Sequence, residues 1–363
     1  MKNKKIIYDN IIYSLQKVGG ISRYWTELIK RILIKNNFNF YEKKNKNLFR
    51  KEVDITILNE SKIPFKLLRF FPFQKRLPKK SIFHSSYYRT TLQKDVVKII
   101  TVYDFIDEHY GNNFASKINT WQKKYALKNA DGIICISNNT KKDLFKFLPN
   151  IDKQKIKTIY ISSEESFFKI KNLSNIMEYS EFNNLYNKKI ILFVGSRKKL
   201  YKNFALVVDI VSTLKECVLI SVGPEQITKT EKKFIDKKLY ERHYHFTNLS
   251  SEKLNELYNL SFCLLYPSMY EGFGIPILEA MSAGCPVVSI NISSIPEVAG
   301  DAAILINEIK KENFTHAIRL LNNKNFRTKL INKGFVQAKK FSWDNCFKET
   351  MKFYHDTYKK KFN

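Results

Sequence analysis

Short apolar runs alternate with longer stretches of helical period through the first half of the chain. The strand-length runs KKIIYD, SIFHSS, VVKIITVYDF, GIICIS and KIKTIYI are separated by the amphipathic patterns ISRYWTELIKRILIK, SKINTWQKKYALKNA and NNTKKDLFKFL. Several of these runs are apolar without alternation, which is typical of parallel strands covered by helices on both faces. The pattern therefore predicts an α/β domain built on a parallel sheet.

The alternation stops in residues 169–189, which are rich in Asn and Ser, and then starts again. The runs IILFVGS, CVLISVG, HYHFTN, FCLLYPS, PVVSI and AAILI alternate with NFALVVDIVSTLK, TEKKFIDKKLYE, SSEKLNELYNLS and PILEAMSAG. We expect two Rossmann-like domains, residues 1–168 and 169–342, each with a doubly wound parallel sheet. Such sheets bind ligands beyond the carboxyl ends of their strands, so two of them facing across a cleft would suit a nucleotide carrying a transferable group.

The chain is strongly basic. It contains 63 Lys and Arg against 34 Asp and Glu, a net charge of +29, and residues 1–100 hold 23 of these bases against 7 acids. Two explanations stay open: a coding bias toward Lys, Asn and Ile, or an anionic partner. Nucleic acid is disfavoured as that partner, because the sequence has no pattern of an RNA-recognition, helix-turn-helix or zinc module.

The densest basic segment begins at Lys62 and ends at Lys80. It carries seven basic side chains and no acidic one, with Phe and Leu residues between them. This mixture is typical of a surface on anionic lipid headgroups, and equally of a solvated loop with a few buried aromatic side chains. No run approaches 18 apolar residues, and the five cysteines lack metal-binding spacing. We therefore expect a cytoplasmic protein, peripheral on the inner face of the cell membrane.

Two cations follow the first strand of the second half, in VGSRKKLYKNF. Arg197 and Lys202 would lie beside loop amides and a helix start, an arrangement that suits a diphosphate, although two surface cations of a lysine-rich chain would look the same. In the first half, KVGGISRYW places Gly20 at a helix start, where backbone can approach an anion. A pair of glycines also makes an ordinary turn.

The segment YPSMYEGFGIPILEAM has the most specific pattern. A strand ends near Pro267, and a short loop then leads into a helix: Phe273, Gly274, Ile275 and Pro276. Glu271 precedes this loop, and we expect Glu279 in the first helical turn, where a carboxylate can accept the hydroxyls of a ribose. An acidic residue favoured by the helix dipole would explain Glu279, but it would not explain Glu271 or the glycines.

These segments resemble the retaining glycosyltransferases of family 4, which have the GT-B fold. EGFGIPILE is similar to their motif of two glutamates separated by seven residues. Further blocks are similar to a bacterial subgroup that builds surface polysaccharides: GGISRYW, FHSSYYR, TVYDFI, ISNNTKKDL, VGSRKKLYKNF and SIPEVAGDAAILI. The resemblance covers nearly the whole chain and is weakest in residues 40–80 and 165–188.

The resemblance implies a role for each candidate residue. Arg197 and Lys202 would hold the donor diphosphate, and Gly20 would approach the phosphates from the first domain. Glu279 would bind the ribose hydroxyls. Glu271 and the amides of the loop would contact the transferred sugar.

One position departs from the family pattern. The family commonly has a histidine where this chain has Tyr103, whose hydroxyl can hydrogen-bond but does not titrate near neutral pH. Tyr103 would therefore position the sugar, or the activity would be altered, while Asp104 would orient donor or acceptor. His84 and His109 lie nearby in the sequence, and His84 suits either the cleft or a structural role.

The function implied by the resemblance is retaining transfer of a hexose, with GDP-mannose as the expected donor, to a lipid-linked or oligosaccharide acceptor of a surface polysaccharide. The sequence has no Asp-x-Asp pattern, so we expect neither a metal nor another cofactor, with cations stabilising the departing diphosphate instead. A sugar-nucleotide epimerase or phosphorylase of the same fold and a catalytically impaired homologue remain alternatives. We expect the final helix, residues 343–361, to pack back on the first domain.

Overall fold

The computed structural model describes residues 4–32, 37–174 and 180–363. The chain forms two compact units, one comprising Met1–Ile161 with Ser342–Asn363 and the other Ser162–Phe341. The division falls after Ile161, seven residues before the boundary that the sequence suggested. Residues 175–179 of the predicted connection and residues 33–35 of the predicted helix ISRYWTELIKRILIK lie outside the described residues.

A seven-stranded parallel sheet forms the centre of the first unit. Its strands are β1 (Ile6–Asp9), β2 (Phe38–Tyr41), β3 (Ile57–Leu58), β4 (Ile82–Ser85), β5 (Val97–Val102), β6 (Gly132–Cys135) and β7 (Ile156–Thr158). Their order is β3-β2-β1-β4-β5-β6-β7, so the direction of strand addition reverses between β1 and β4. Every residue of β1, β4 and β6 is buried, which agrees with strands covered on both faces. The edge strand β3 consists of two exposed residues, and the sequence analysis did not predict it.

The helices of this unit are α1 (Ile12–Leu15), α2 (Gly20–Ile32), α3 (Phe65–Leu68), α4 (Ile106–Tyr110), α5 (Phe114–Lys128) and α6 (Asn138–Phe147). Ser137 caps α6, because its side-chain oxygen accepts the amide of Thr140 at 2.9 Å. Short 3₁₀ turns lie at Phe49–Glu52 and Lys153–Lys155.

The second unit contains a six-stranded parallel sheet. Its strands are β8 (Lys189–Val194), β9 (Cys217–Val222), β10 (His243–Phe246), β11 (Cys263–Tyr266), β12 (Val287–Ile290) and β13 (Ile304–Ile306). The order β10-β9-β8-β11-β12-β13 reverses between β8 and β11. In open α/β sheets, ligands bind beyond the strand ends at such a reversal, the topological switch point.

The helices of the second unit are α7 (Phe204–Ser212), α8 (Lys229–Leu239), α9 (Ser251–Leu260), α10 (Ile275–Ser282), α11 (Ile295–Ala299), α12 (Lys311–Leu320) and α13 (Lys324–Ala338). A 3₁₀ turn, Leu200–Lys202, precedes α7, and another lies at Asn183–Leu185. Apolar side chains of α7 and α12 pack on one face of the sheet and form a continuous core with β8, β9 and β11. The two Rossmann-like parallel sheets predicted from the sequence are therefore confirmed.

The last helix, α14 (Trp343–Phe362), is part of the first unit. Arg31 on α2 bonds Asp344 at 2.7 Å, and the ring of Trp343 lies 6.0 Å from that of Tyr24. Further along α14, the hydroxyl of Tyr354 lies 3.0 Å from that of Tyr8 on β1. This helix is thus tied to the centre of the first sheet by polar as well as apolar contacts.

Candidate functional site

Two loops leave the switch point of the second sheet side by side. One follows β8 and the other follows β11. They are joined by two hydrogen bonds: Asn203 Nδ2 donates to the carbonyl of Pro267 at 3.0 Å, and the amide of Met269 donates to the carbonyl of Tyr201 at 2.7 Å. Side chains that follow β8 and β11 are therefore held next to each other.

Lys202, Tyr266 and Glu271 form a compact cluster at this point. The ammonium of Lys202 lies 2.5 Å from Glu271 Oε1 and donates to the hydroxyl of Tyr266 at 3.0 Å, while that hydroxyl donates to the same Oε1 at 2.6 Å. The side chains of Lys202 and Glu271 are 14% and 12% exposed, so this ion pair is accessible from solvent. It unites two of the residues predicted to bind the donor.

The loop that carries Glu271 is fixed by two serines. Ser293 Oγ accepts the amide of Glu271 at 3.1 Å and donates to its carbonyl at 2.7 Å. The fully buried Ser294 donates to the carbonyls of Glu271 at 2.9 Å and Phe273 at 2.8 Å. The backbone that would face a sugar therefore has a defined conformation.

The glycine of the loop permits an abrupt helix start. Gly274 is the residue before α10 and has φ +106°, which strongly favours glycine. Pro276 is the second helical residue, and Phe273 is buried with its ring 5.5 Å from that of Phe341. Among the described residues, the amides of Gly274 and Ile275 have no hydrogen-bond acceptor, so they can donate to an anion or hydroxyl.

Glu279 lies in the second turn of α10, and its expected place in the first turn is wrong. The reason is that the helix begins at Ile275, immediately after the left-handed Gly274. Glu279 is half-buried and accepts a hydrogen bond from the hydroxyl of Tyr258 at 2.9 Å. Its position is thus fixed by a side chain of α9 rather than by the helix dipole.

Arg197 lies in a different environment from Lys202. Its side chain is fully buried; Nε lies 2.6 Å from Glu231, Nη1 donates to His245 Nε2 at 2.7 Å, and Nη2 donates to the carbonyl of Glu225 at 2.9 Å. Burial, followed by the charge of Arg197, lowers the pKa of His245, which keeps this ring an acceptor. The guanidinium thus joins the loop after β8 to α8, β10 and the loop after β9.

The first-unit candidates differ in burial and in their hydrogen-bond partners. Gly20 is exposed at the first position of α2. Tyr103 is almost completely buried: its hydroxyl accepts from Trp25 Nε1 at 2.7 Å, and burial raises its pKa well above the usual value. Asp104 is half-buried and accepts the amide of Ile106 at 3.0 Å.

His84 is a buried core residue. Its Nε2 lies 3.0 Å from Thr101 Oγ1, its Nδ1 contacts the hydroxyl of Tyr354, and burial lowers its pKa to about 3. Of the two roles left open by the sequence, the structure favours the structural one. His109 lies 3.3 Å from Asp143 at the half-buried end of α4.

The basic segment between Lys62 and Lys80 carries most of its charges on the surface. Its exposed basic and large apolar side chains are Lys62, Lys66, Leu67, Phe70, Phe71, Lys75, Arg76, Lys79 and Lys80. Arg69 donates to Asn119 on α5 at 2.7 Å, and α5 exposes Phe114 and Trp121 to 77% and 65%. Cations and apolar side chains from two segments therefore lie on the exterior of the first unit.

Sequence reasoning missed several polar partners. It did not identify Tyr258 and Tyr266, which bond the two glutamates, or the adjacent serines Ser293 and Ser294. The tyrosines stand in otherwise apolar patterns and look like core residues. Ser294 is the first residue of the block SIPEVAGDAAILI, and Ser293 directly precedes it. This was a signal in the sequence, since that block was among those with a family resemblance.

Two negative findings apply to residues 4–32, 37–174 and 180–363. Within these ranges, no helix has the length and apolar character needed to cross a membrane. No group of three or more His, Cys, Asp or Glu in them is arranged to hold a metal ion. All five cysteines are buried and unpaired by disulfides.

Comparison with solved structures defines the class of fold. A glycosyltransferase from Rickettsia africae ESF-5 superposes with a TM-score of 0.71 over 98% of this chain and 99% of that protein, at 19% identity. At this identity the likeness shows the fold alone. The predicted GT-B fold is confirmed.

Comparison with protein families gives a narrower result. Residues 175–337 match the family model described as glycosyl transferases group 1. This range lies within the second unit, so the match falls on the unit that contains Lys202, Glu271 and Glu279. The predicted resemblance is confirmed for this part of the chain.

Two curated relatives come from bacterial O-antigen synthesis. The chain is 43% identical over 104 residues to O-antigen chain mannosyltransferase B of Escherichia coli, covering 28% of this chain and 27% of that protein. It is 25% identical over 221 residues to O-antigen chain mannosyltransferase RfbU of Salmonella typhimurium, covering 61% and 59%. The matched regions thus span about a quarter and about three fifths of these relatives.

Proposed function

We propose that this protein is a retaining glycosyltransferase that transfers a hexose from a nucleotide sugar to a glycan or lipid-linked acceptor of a bacterial surface polysaccharide. The observation that carries this proposal is the Lys202–Glu271 pair at the switch point of a group 1 glycosyl transferase unit. The pair joins a cation suited to a diphosphate with a carboxylate suited to sugar hydroxyls.

The donor that we propose is GDP-mannose. The two curated relatives described above are both mannosyltransferases of O-antigen chains, which supports mannose as the transferred sugar and a surface glycan as the acceptor. The base is the less constrained part of this proposal, so the assay below compares donors with different bases.

We assign donor contacts to four parts of the second unit. Lys202 compensates charge on the diphosphate, where negative charge increases as the glycosidic bond breaks, and the amides of Gly274 and Ile275 donate to a sugar or phosphate oxygen of the donor. Glu279 accepts the ribose hydroxyls, and Glu271 accepts hydroxyls of the transferred sugar. The positive charges and amide dipoles would do the electrostatic work without a metal ion.

Retention of configuration follows in this proposal from attack on the same face as the departing diphosphate. The acceptor hydroxyl attacks the anomeric carbon, the bond from that carbon to the diphosphate oxygen breaks, and this oxygen takes the hydroxyl proton. No covalent nucleophile is needed. Glu271 and Glu279 serve here as hydrogen-bond acceptors for different parts of the donor rather than as an acid and base couple.

Arg197 has a different part in this proposal from the one expected from the sequence. Its contacts with Glu231, His245 and the carbonyl of Glu225 satisfy the guanidinium inside the unit. To reach a diphosphate it would have to leave those contacts. We propose that Arg197 fixes the shape of the loop after β8, and that Lys202 is the cation that meets the diphosphate.

The first-unit candidates have weaker support. Gly20 at the exposed start of α2 leaves room for an anion, so we keep its proposed role near the donor phosphates. Asp104 remains a candidate for orienting the donor or acceptor. The hydroxyl of Tyr103 accepts a hydrogen bond from Trp25. We therefore propose that Tyr103 packs against and supports the neighbouring side chains, and that it does not contact the sugar directly.

The proposal is tested by donor consumption. The protein is incubated with GDP-mannose, UDP-glucose and UDP-galactose, with and without a lipid-linked acceptor, and release of the nucleoside diphosphate is measured. We expect release from GDP-mannose, with retained configuration in the product by NMR. An epimerase would convert the donor sugar without releasing diphosphate, and failure to consume any nucleotide sugar would contradict the proposal.

We further propose that the segment between Lys62 and Lys80, together with α5, lies on an anionic membrane surface at the inner face of the cell membrane. The support is the exposed mixture of lysines with Leu67, Phe70, Phe71, Phe114 and Trp121. Sedimentation with liposomes tests it: vesicles containing phosphatidylglycerol should retain more protein than phosphatidylcholine vesicles. Equal retention, or no loss on replacing Phe70 and Phe71 by Ser, would contradict it.

A further inference from the structure

Glu271 and Glu279 each accept a hydrogen bond from the hydroxyl of a buried tyrosine. The hydroxyl of Tyr266 donates to Glu271 Oε1 at 2.6 Å, and that of Tyr258 donates to Glu279 Oε2 at 2.9 Å. The tyrosines come from different elements, β11 and α9, and both side chains are buried. Two independent parts of the unit thus converge on the two acids.

Both tyrosine hydroxyls stay protonated and therefore remain hydrogen-bond donors. Burial raises the pKa of Tyr258 and of Tyr266 well above the usual value, and the adjacent glutamate charge acts in the same direction. Each phenol therefore keeps its proton throughout the neutral pH range. A hydrogen bond to an ionised carboxylate is also roughly twice as strong as one between neutral groups, so it constrains the carboxylate effectively.

Tyr266 has a second contact, with Lys202, which matters for what holds Glu271 when a diphosphate binds. Its oxygen accepts from Lys202 at 3.0 Å while it donates to Glu271. A diphosphate that attracts Lys202 would draw this ammonium away from Glu271. The hydroxyl of Tyr266 would then remain as the group that holds Glu271. The tyrosine is itself fixed, because Ser289 Oγ donates to its carbonyl at 2.6 Å.

We propose that Tyr258 and Tyr266 are positioning residues that orient the two acids for different parts of the donor. Tyr266 orients Glu271 toward the transferred sugar, and Tyr258 orients Glu279 toward the ribose. This inference rests on the function proposed above. Neither tyrosine is assigned a contact with the substrate, so each acts through its glutamate.

The two assignments predict different kinetic changes. Tyr266→Phe should lower kcat roughly tenfold and leave the Kd for GDP within about twofold, because GDP lacks the sugar that Glu271 contacts. Tyr258→Phe should raise the Kd for GDP and the KM for the donor roughly tenfold while kcat stays within about threefold. A purely structural role would not separate the two parameters in this way.

Tyr13→Phe is the matched control. Tyr13 is a buried tyrosine of the first unit whose hydroxyl lies 2.9 Å from Thr26 Oγ1. Its replacement removes one buried hydroxyl bond that has no link to either glutamate. We expect a loss of stability similar to that of the other two variants, with kcat, KM and the Kd for GDP unchanged.

The experiment combines calorimetric titration of GDP and UDP with steady-state kinetics on the full chain and the three variants, after urea unfolding has shown each to be folded. If the wild-type protein binds neither GDP nor UDP, the proposed function fails. If the wild type binds one of them but both tyrosine variants keep its Kd and kcat within twofold, the inference fails alone. A loss of the same parameter in both variants would also overturn it.

Discussion

The two sheets have the same kind of switch point but fill it differently. In the first unit, three ionic side chains meet at the reversal between β1 and β4: Arg89 lies 2.9 Å from Asp9 and 2.7 Å from Glu60. These side chains are 0%, 3% and 4% exposed, and burial raises the pKa of Asp9 while the charge of Arg89 opposes this shift. Solvent reaches this group only through the small exposed fractions of Asp9 and Glu60.

In the second unit, the Lys202–Glu271 pair at the corresponding reversal keeps part of each side chain exposed. An ion pair that solvent still reaches can exchange one partner for a ligand with less desolvation than a completely buried pair, because water partly compensates the charges during the exchange. A fully buried ion group cannot do so without leaving an unpaired charge in the interior. Topology brings charges to both switch points, and their different burial supports the proposal that the second pair binds a ligand while the first group stabilises the fold.

The largest expected effect is on the buried group of the first unit. Arg89→Ala leaves Asp9 and Glu60 without their cation, so the free energy of unfolding should fall by about 3–5 kcal/mol in urea titrations. The matched control is Lys333→Ala, which removes an exposed pair with Asp301 and should leave the free energy of unfolding close to that of the wild type, because water screens the two charges. Equal losses in the two variants would show that this buried group stabilises the fold no more than an exposed ion pair does.

The next effect is on turnover. Lys202→Ala should lower the rate of hexose transfer by about 10²–10³, or about 2.7–4 kcal/mol of transition-state stabilisation, because one preorganised charge at the diphosphate is lost. Lys199→Ala, an exposed lysine of the same loop, is the control and should stay within about threefold. Turnover of the Lys202 variant near that of the control would show that this cation is not at the reacting group.

The buried His84 should make the free energy of unfolding of the first unit depend on pH. Its pKa is about 3 in the folded chain against an ordinary 6.5, so the unfolded chain takes up the proton first as pH falls. Its contribution to the free energy of unfolding is complete above pH 6.5. Below that pH the contribution declines by about 1.4 kcal/mol per pH unit toward pH 3, so that about 2 kcal/mol is lost at pH 5. Urea titrations of wild type and His84→Gln should show a difference that shrinks on acidification; a constant difference would contradict this.

The smallest effect compares one serine in each unit. Ser294 donates to the carbonyls of Glu271 and Phe273, and Ser86 donates to the carbonyl of Asp9 at 2.7 Å. Each change to Ala should cost about 1 kcal/mol of unfolding free energy. Only Ser294→Ala should also raise the KM for the donor, measured by nucleoside diphosphate release. A similar rise of this KM in Ser86→Ala would mean that donor binding does not depend specifically on the loop that Ser294 holds.

The local pattern of apolar and polar residues was sufficient to predict most of the strands and the fold class. The apolar runs correspond to the central strands of both sheets, and EGFGIPILE placed both glutamates beside the loop that ends at Gly274. The pattern could not show that Arg197 is buried, since this depends on Glu231 and His245, which lie 34 and 48 residues further along the chain. The same holds for Arg89 and Glu60, which are 29 residues apart and meet only through tertiary packing.

The central claim is that Lys202 at the second switch point binds a diphosphate, and calorimetric titration of GDP and guanosine tests it most directly. The wild-type protein should bind GDP roughly 10–100-fold more tightly than guanosine, as expected for charge-assisted contacts worth about 1.5–3 kcal/mol. This preference should largely disappear in Lys202→Ala and persist in Lys199→Ala. Equal binding of GDP and guanosine by the wild type, or an undiminished preference in Lys202→Ala, would contradict the account.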